Sequence, residues 1–227
     1  MGACFSGGIH MKRFMSIVCM LCVFLFLLTV SIGLPIYIRP FYYAHIDAFE
    51  LEALSGYSEA QIREAYDEVL DYLTLPRREF GTGELPHSPE GKAHFEDCKV
   101  LFDLNAAILL GSGCILAVLF AMRNRWGAYR LGKHSALLWA AVLSLTAPMI
   151  IGALAALDFD RAFVVFHSIF FPGKTNWVFD WYRDPIIRVL PQVFFRNCAI
   201  LIAVGLVTMS VGILVWDGIR NNRRGDS

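Results

Sequence analysis

Histidine is the side chain best suited to moving a proton near neutral pH, and two of the six in this chain stand in apolar or helix-forming company. His167 lies in Ala162-Phe-Val-Val-Phe-His-Ser-Ile-Phe-Phe171, a stretch with no formal charge. His94 lies in Ala93-His-Phe-Glu-Asp-Cys-Lys99. On a helix Asp97 and Cys98 share the face of His94, and a carboxylate at that spacing can hold an imidazole's tautomer and raise its basicity. A desolvated imidazole stays neutral at pH 7 and can serve as a general base. The plainer alternative is a packed histidine satisfied by a backbone carbonyl, and spacing alone does not decide between the two. His94, Asp97 and His167 are also metal-capable types, but no paired spacing such as H-E-x-x-H is present, so no metal is expected. Ser168 lacks a G-x-S-x-G setting, so a serine nucleophile is not expected. His45, His87 and His134 read as solvated.

The elements that must position these residues follow from hydropathy. Hydrophobic residues make up 56% of the chain and its mean hydropathy is +0.52, which points to a polytopic membrane protein. Four uncharged runs are long enough to span: Phe14 to Ile38, Leu104 to Met122, Ser135 to Leu157 and Asn197 to Trp216. The first resembles a signal peptide, but its core exceeds the usual ~7–15 residues and no A-x-A site follows, so it reads as an uncleaved helix. The expected fold is all-α, a single membrane domain over residues 1–227 with two outer connections, about 39–103 and 158–196.

Orientation follows the positive-inside rule. Lys12 and Arg13, then Arg123, Arg125, Arg130 and Lys133, then Arg220, Arg223 and Arg224 mark the cytoplasmic side, against Asp217 and Asp226 alone. Both termini are therefore expected inside. The first outer connection is acidic, with fourteen Asp/Glu against six Lys/Arg between Pro35 and Asp103. Within it Ser58 and Gln61 read as a capping box, followed by Ile62, Tyr66, Val69, Leu70 and Leu73 at helical spacing. Ser88-Pro89 reads as the start of a helix that runs without proline through the second span. The second outer connection is aromatic. It holds the apolar stretch around His167, too short to span, which ends at Pro172-Gly173. Trp177, Trp181, Tyr182, Phe194 and Phe195 follow at headgroup depth, and a short helix is expected after Asp184-Pro185.

Zero net charge gives no footprint for nucleic acid. The cysteines do not form a disulfide framework. Cys19, Cys22 and Cys114 sit in apolar runs, Cys4 lies in the Gly/Ser start, and only Cys98 and Cys198 can approach the outer face, with their connectivity open.

The ordered motifs resemble a known family. Ala93-His-Phe-Glu-Asp-Cys-Lys-Val-Leu-Phe102 is similar to its His-Met-x-Asp-Val-Lys-x-Leu-Phe motif. Phe166-His-Ser-Ile-Phe-Phe-Pro-Gly-Lys-Thr-Asn-Trp177 resembles its Phe-His-x-x-Phe-Phe element with the trailing Trp, and Asp184-Pro-Ile-Ile-Arg-Val-Leu-Pro-Gln-Val-Phe-Phe195 its closing Asp-Pro element. Tyr66 to Leu73 looks like the helix before them. The family is the four-span lipoprotein intramolecular transacylases of Gram-positive bacteria, and the similarity runs from about Met11 to Trp216. Phe95 and Cys98 depart from the Met and Val usual in the motif.

The resemblance implies that a diacylated lipoprotein is the substrate, that its sn-2 acyl chain moves to the α-amino group of its N-terminal cysteine, and that His94 and His167 are the essential residues. It implies a multi-pass protein of the bacterial cell membrane, surrounded by membrane lipid, with its active site on the extracellular face, no cofactor, and a monomer as a sufficient unit. Asp97 is the expected orienter of His94; Lys99, Asn176 or N–H groups near Gly173 are candidate oxyanion donors. Phe166, Phe170, Phe171, Trp177, Asp184 and Arg188 are candidate pocket residues. Two other classes compete: a non-enzymatic membrane scaffold or accessory subunit, and an outer-leaflet lipid or lipoprotein hydrolase.

Overall fold

The computed structural model describes residues 3–126 and 129–225, with the side chains of residues 3–9, 125–126, 147, 154 and 221–225 excluded. Cys4, Arg125, Arg223, Arg224 and Asp226 therefore lie outside the described residues as far as their side chains are concerned. The elements in order are α1 (Ala3–Tyr37), α2 (Arg39–Ala48), α3 (Leu51–Ser55), α4 (Glu59–Thr74), α5 (Pro89–Trp126), β1 (Arg130–Leu131), β2 (His134–Ser135), α6 (Ala136–Leu157), α7 (Phe159–Phe170), α8 (Ile186–Val189) and α9 (Gln192–Gly225). Among the described residues the fold is all-α apart from the β1–β2 hairpin and one bridge between Thr82 and Glu84. The hairpin was not foreseen; two residues per strand are too few to leave a period in the sequence.

Among the described residues four helices are long and apolar enough to cross a membrane: His10–Tyr37, Pro89–Asn124, Ala136–Leu157 and Gln192–Arg220. They match the four expected spans, and three are longer than the uncharged runs because the helix continues beyond them. The chain divides into two compact units, Met1–Ile32, Ala106–Gly152 and Ile202–Ser227 in one, Gly33–Asn105 and Ala153–Leu201 in the other.

The first unit is built from spanning helices. Cys19, Val23 and Leu27 of α1 pack with Leu119, Ala136, Ala140 and Leu206. Outside that seam apolar side chains face outward: Leu110, Phe120, Met149, Ile150 and Ile151 are 64–69% exposed. In water this would be a severe cost, whereas hydrocarbon accepts it. Backbone polar groups are satisfied within the helices, and the turn after α5 is tied back by Arg130 N–H donating to Ser16 Oγ (3.0 Å) and Tyr129 O–H donating to the Leu119 carbonyl (2.9 Å).

The second unit has a core of the soluble kind. The capping box at Ser58 is formed: Gln61 N–H donates to Ser58 Oγ and Ser58 N–H donates to Gln61 Oε1 (2.9 Å). The helix it starts, α4, buries Ile62, Ala65, Tyr66, Val69, Leu70 and Leu73 on one face. Tyr66 stacks on Tyr42 of α2 at 3.7 Å, and Tyr42 O–H donates to the Val189 carbonyl of α8 (2.7 Å). Arg39 pairs with Asp67 at 2.7 Å and also with Asp71, fastening the start of α2 to α4.

His45 is buried in this core, not solvated as expected. Its Nδ1–H donates to the Phe41 carbonyl (2.6 Å) and its Nε2 accepts from Asn197 Nδ2 (3.0 Å). The donor amide is 152 residues away in sequence, which is why no local pattern announced it.

A paired-histidine candidate active site

The second unit brings His94 and His167 together. Their ring centroids are 5.8 Å apart, and each side chain is only 6% exposed. Two local devices place them. For His94 the device is the start of α5. Ser88 Oγ accepts the Gly91 N–H (2.9 Å), the N-cap geometry expected of Ser-Pro. Asp184 locks that cap from a distant segment, accepting from Ser88 N–H (2.7 Å) and Ser88 Oγ (2.8 Å). The fit requires glycine at position 91, because a Cβ there would stand 2.4 Å from Asp184 Oδ1.

For His167 the device is α7, a twelve-residue helix capped by Asp158, whose Oδ1 accepts the Arg161 N–H (2.9 Å). It ends at Phe171, and Gly173 takes a φ of 74° to turn the chain back. Its exposed face carries Val164, Val165, Phe166, Ile169 and Phe170, the composition of a helix lying in the interface of a bilayer.

Aromatic rings enclose the imidazoles. Phe171 is buried against both, 5.0 Å from His94 and 5.7 Å from His167 by ring centroids. Trp177 stacks on His167 at 4.5 Å, and Phe179 stands edge-on to His94 at 5.4 Å.

The hydrogen bonds fix what each ring can do. His167 Nδ1 lies 2.7 Å from the Phe163 carbonyl, which can only accept, so Nδ1 carries the proton. When the ring is neutral its Nε2 bears the lone pair, and no donor meets that atom among the described residues. Burial pushes the His167 imidazole below its ordinary range, partly opposed by the bond to Phe163. His94 Nε2 contacts Cys98 Sγ at 3.4 Å. Its Nδ1 is buried and has no hydrogen-bond partner among the described residues. Two largely buried imidazoles thus lie side by side, each with a nitrogen that no other described residue engages, an arrangement suited to taking a proton at one point and delivering it at another.

Residues 17–195 match the family described as lipoprotein intramolecular transacylase Lit. The chain belongs to the lipoprotein intramolecular transacylase family. Its fold is that of the Bacillus cereus transacylase, with a TM-score of 0.87 at 23% identity over 96% of this chain and 99% of that one. A structure of the same Bacillus cereus protein with one histidine replaced by alanine gives a TM-score of 0.82 at 23% identity, covering 100% of both chains. A further relative, an uncharacterized protein of Aquifex aeolicus (strain VF5), is 26% identical over 93 residues. That match takes in 39% of this chain and 42% of the relative, so the chain aligns with less than half of its length.

Within the family fold the other candidates separate. Asp97 lies within electrostatic reach of His94 but forms no hydrogen bond to it. Its carboxylate instead accepts from Lys174, and from Asn176 Nδ2 at 3.1 Å. The orienting bond expected from helical spacing is therefore absent: a cation and an amide from the α7–α8 connection occupy both oxygens. Asn176 consequently turns an amide N–H toward Asp97 and is left with a carbonyl oxygen, buried and without a partner among the described residues. That oxygen can only accept; of the two amide N–H bonds of Asn176, one is spent on Asp97 and the other is the single donor left for an oxyanion. Lys99 does not join the imidazoles either; its ammonium donates to the carbonyls of Tyr72 (2.5 Å) and Leu75 (3.1 Å), closing the end of α4.

Among the candidate pocket residues, Phe171 and Trp177 touch the imidazoles directly. Phe166 lies 5.5 Å from His167 and is 46% exposed, while Phe170, 48% exposed, packs on Phe166. Asp184 is a buried clamp on the start of α5 rather than an open wall. Arg188 donates from Nε and Nη2 to the Trp181 carbonyl (3.1 and 2.7 Å) and packs over the Trp181 ring. Lys174, Phe163 and Phe179 were not foreseen. The i to i+4 spacing of Phe163 and His167 was a usable signal; Lys174 had none. Cys98 and Cys198 are both free thiols. Elsewhere in this unit an open depression of about 280 Å³, lined by Ile46, Asp47, Glu50, Glu52 and Ala53, holds no imidazole and no ring to exclude water.

Proposed function

We propose that the protein moves the sn-2 acyl chain of a lipoprotein's S-diacylglyceryl cysteine to the α-amino group of that cysteine, leaving an N-acyl, S-monoacylglyceryl (lyso-form) lipoprotein. The observation that carries this reading is the buried His94–His167 pair with unused ring nitrogens, in a chain of the transacylase family. The ester C–O bond breaks, an amide C–N bond forms, and one proton passes from the amine to the glyceryl oxygen.

The roles divide by tautomer. His167, held as the Nδ1–H form by the Phe163 carbonyl, presents Nε2 and takes the amine proton as attack proceeds. His94 receives that proton from His167 on its unpartnered nitrogen and passes it to the departing glyceryl oxygen, so both rings end neutral. The α-amino group, with an ordinary pKa of ~7.7–8.0, attacks as the neutral form. Donor and acceptor belong to one molecule, so holding them in contact lowers the barrier by ~7–11 kcal/mol in favourable cases. Phe171, Trp177 and Phe179 keep water from competing for the acyl group. No cofactor is needed, because an ester lies uphill of an amide.

The charge pattern supports a multi-pass protein of the bacterial cell membrane with cytoplasmic termini and this site on the outer face, where the lipoprotein substrate and surrounding lipid meet it. Both histidines come from one chain, so a monomer suffices. The test is expression in a host that lacks other N-acylation, with mass spectrometry of lipoprotein N-terminal peptides. Lyso-form product is expected from the wild type and is lost in His94→Ala and in His167→Ala. Lyso-form product persisting in both variants, or free fatty acid in place of N-acylated cysteine, overturns the reading.

A further inference from the structure

We infer that Asn176 is the residue that presents the substrate's α-amino group, accepting one of its N–H bonds through the side-chain carbonyl. The inference rests on the transacylase reading and adds to it the recognition of the nucleophile.

The amide is fixed by its neighbour. Asp97 is acceptor-only as a carboxylate, so the group 3.1 Å from its Oδ2 must be the amide NH₂ of Asn176. The carbonyl then points away from Asp97, and it is one of only a few buried polar side-chain atoms without a partner among the described residues. A buried acceptor left unpaired costs free energy that a ligand donor would recover, so such an atom marks a place built for a donor. Nδ1 of His94, on the helix that carries Asp97, is a second such atom. Asn176 adjoins Trp177, which stacks on His167, and is bonded to Asp97, one helical turn from His94.

The chemistry of a primary amine fits these acceptors. A neutral amine has two N–H bonds and one lone pair. If His167 Nε2 accepts one N–H and Asn176 Oδ1 the other, the lone pair is the only feature left to face the ester carbon. A neutral amide also suits the task better than a bare carboxylate, which would hold the amine as the unreactive ammonium. Asp97 is kept from that role by Lys174, which pairs with it.

Two unreactive probes test this. One is a lipopeptide whose sn-2 chain is ether-linked and whose cysteine bears a free α-amine; the other is the same compound without the amino group. The wild type is expected to bind the amine probe at least about tenfold more tightly, the yield of one well-placed hydrogen bond. In Asn176→Ala that ratio should fall to near one, with affinity for the des-amino probe almost unchanged. A ratio near one in the wild type overturns the inference without reference to any variant. So does a full ratio in Asn176→Ala, or an equal loss for both probes, which would mark a packing role. Formation of lyso-form product by the wild type is followed in parallel: its absence removes the transacylase reading, whereas its presence beside an unaltered ratio removes the amine role alone.

Discussion

His45 and His167 begin alike and end differently. Each lies on a short helix, each is buried, and each donates Nδ1–H to the carbonyl four residues before it, Phe41 in one case and Phe163 in the other. At His45 the remaining nitrogen is capped by Asn197, so the ring's hydrogen-bonding capacity is exhausted. At His167 the remaining nitrogen is open and the ring faces a second imidazole. Burial therefore does not separate the two histidines; the count of unmet valences does. A satisfied buried polar group stabilises the fold, and an unsatisfied one waits for a ligand.

The sharpest way to break this contrast is to delete each ring. His94→Ala and His167→Ala should lower N-acylated product by about 10²–10⁴-fold, the usual worth of a positioned acid or base, with little change in melting temperature. Mass spectrometry of lipoprotein N-termini and a detergent-phase thermal scan read the two effects separately. Removing a satisfied partner should do the reverse. Asp184→Ala leaves the Ser88 N–H and hydroxyl at the start of α5 without their acceptor, and should cost about 3 kcal/mol of stability. His45→Ala orphans Asn197 Nδ2 and should cost about 2 kcal/mol. Product per folded molecule should survive in His45→Ala; its loss there would erase the distinction.

Acidity gives a finer test. His167 titrates below its ordinary range because burial disfavours the cation. The acid limb of kcat/KM should accordingly lie below the ~6.5 of a free imidazole, with activity falling as the base is protonated. Around that pH the folded state binds fewer protons at this site than the unfolded chain. The stability contribution is thus fully present above the unfolded value and is lost as pH falls through the folded one, a slope that His167→Ala should remove. An acid limb above ~6.5 would contradict the burial argument. Smallest of all, Ser58→Ala should cost about 1 kcal/mol through the lost cap of α4 and leave product formation untouched.

Local signals carried well from sequence to structure. Unbroken hydropathy marked all four spanning helices, Ser88-Pro89 and the Ser58–Gln61 box started helices where capping chemistry predicts, and Pro172-Gly173 ended α7. His167 stood out because an imidazole among phenylalanines is unusual in a span-flanking segment, and His94 because helical spacing puts Asp97 and Cys98 on its face. Interactions across the fold were illegible. Helical spacing put Asp97 beside His94 correctly, yet what Asp97 bonds to is decided by Lys174 and Asn176, 77 and 79 residues away. Lys99 looked like an oxyanion donor until the carbonyls at the end of α4 claimed it. Asp184 looked like an exposed wall because nothing near it in sequence reveals its partner Ser88, 96 residues back. Periodicity reports which face a residue takes and is silent on who waits opposite.

The strip from Phe171 to Trp177 is shared property. Phe171 leans on both imidazoles, Lys174 and Asn176 tie it to α5, and Trp177 covers His167. Were this strip to lift, solvent would reach both imidazoles in the same instant, and water could take the acyl group that a transferase must hand to an amine. Fidelity in such an enzyme is a matter of how firmly seven residues stay down.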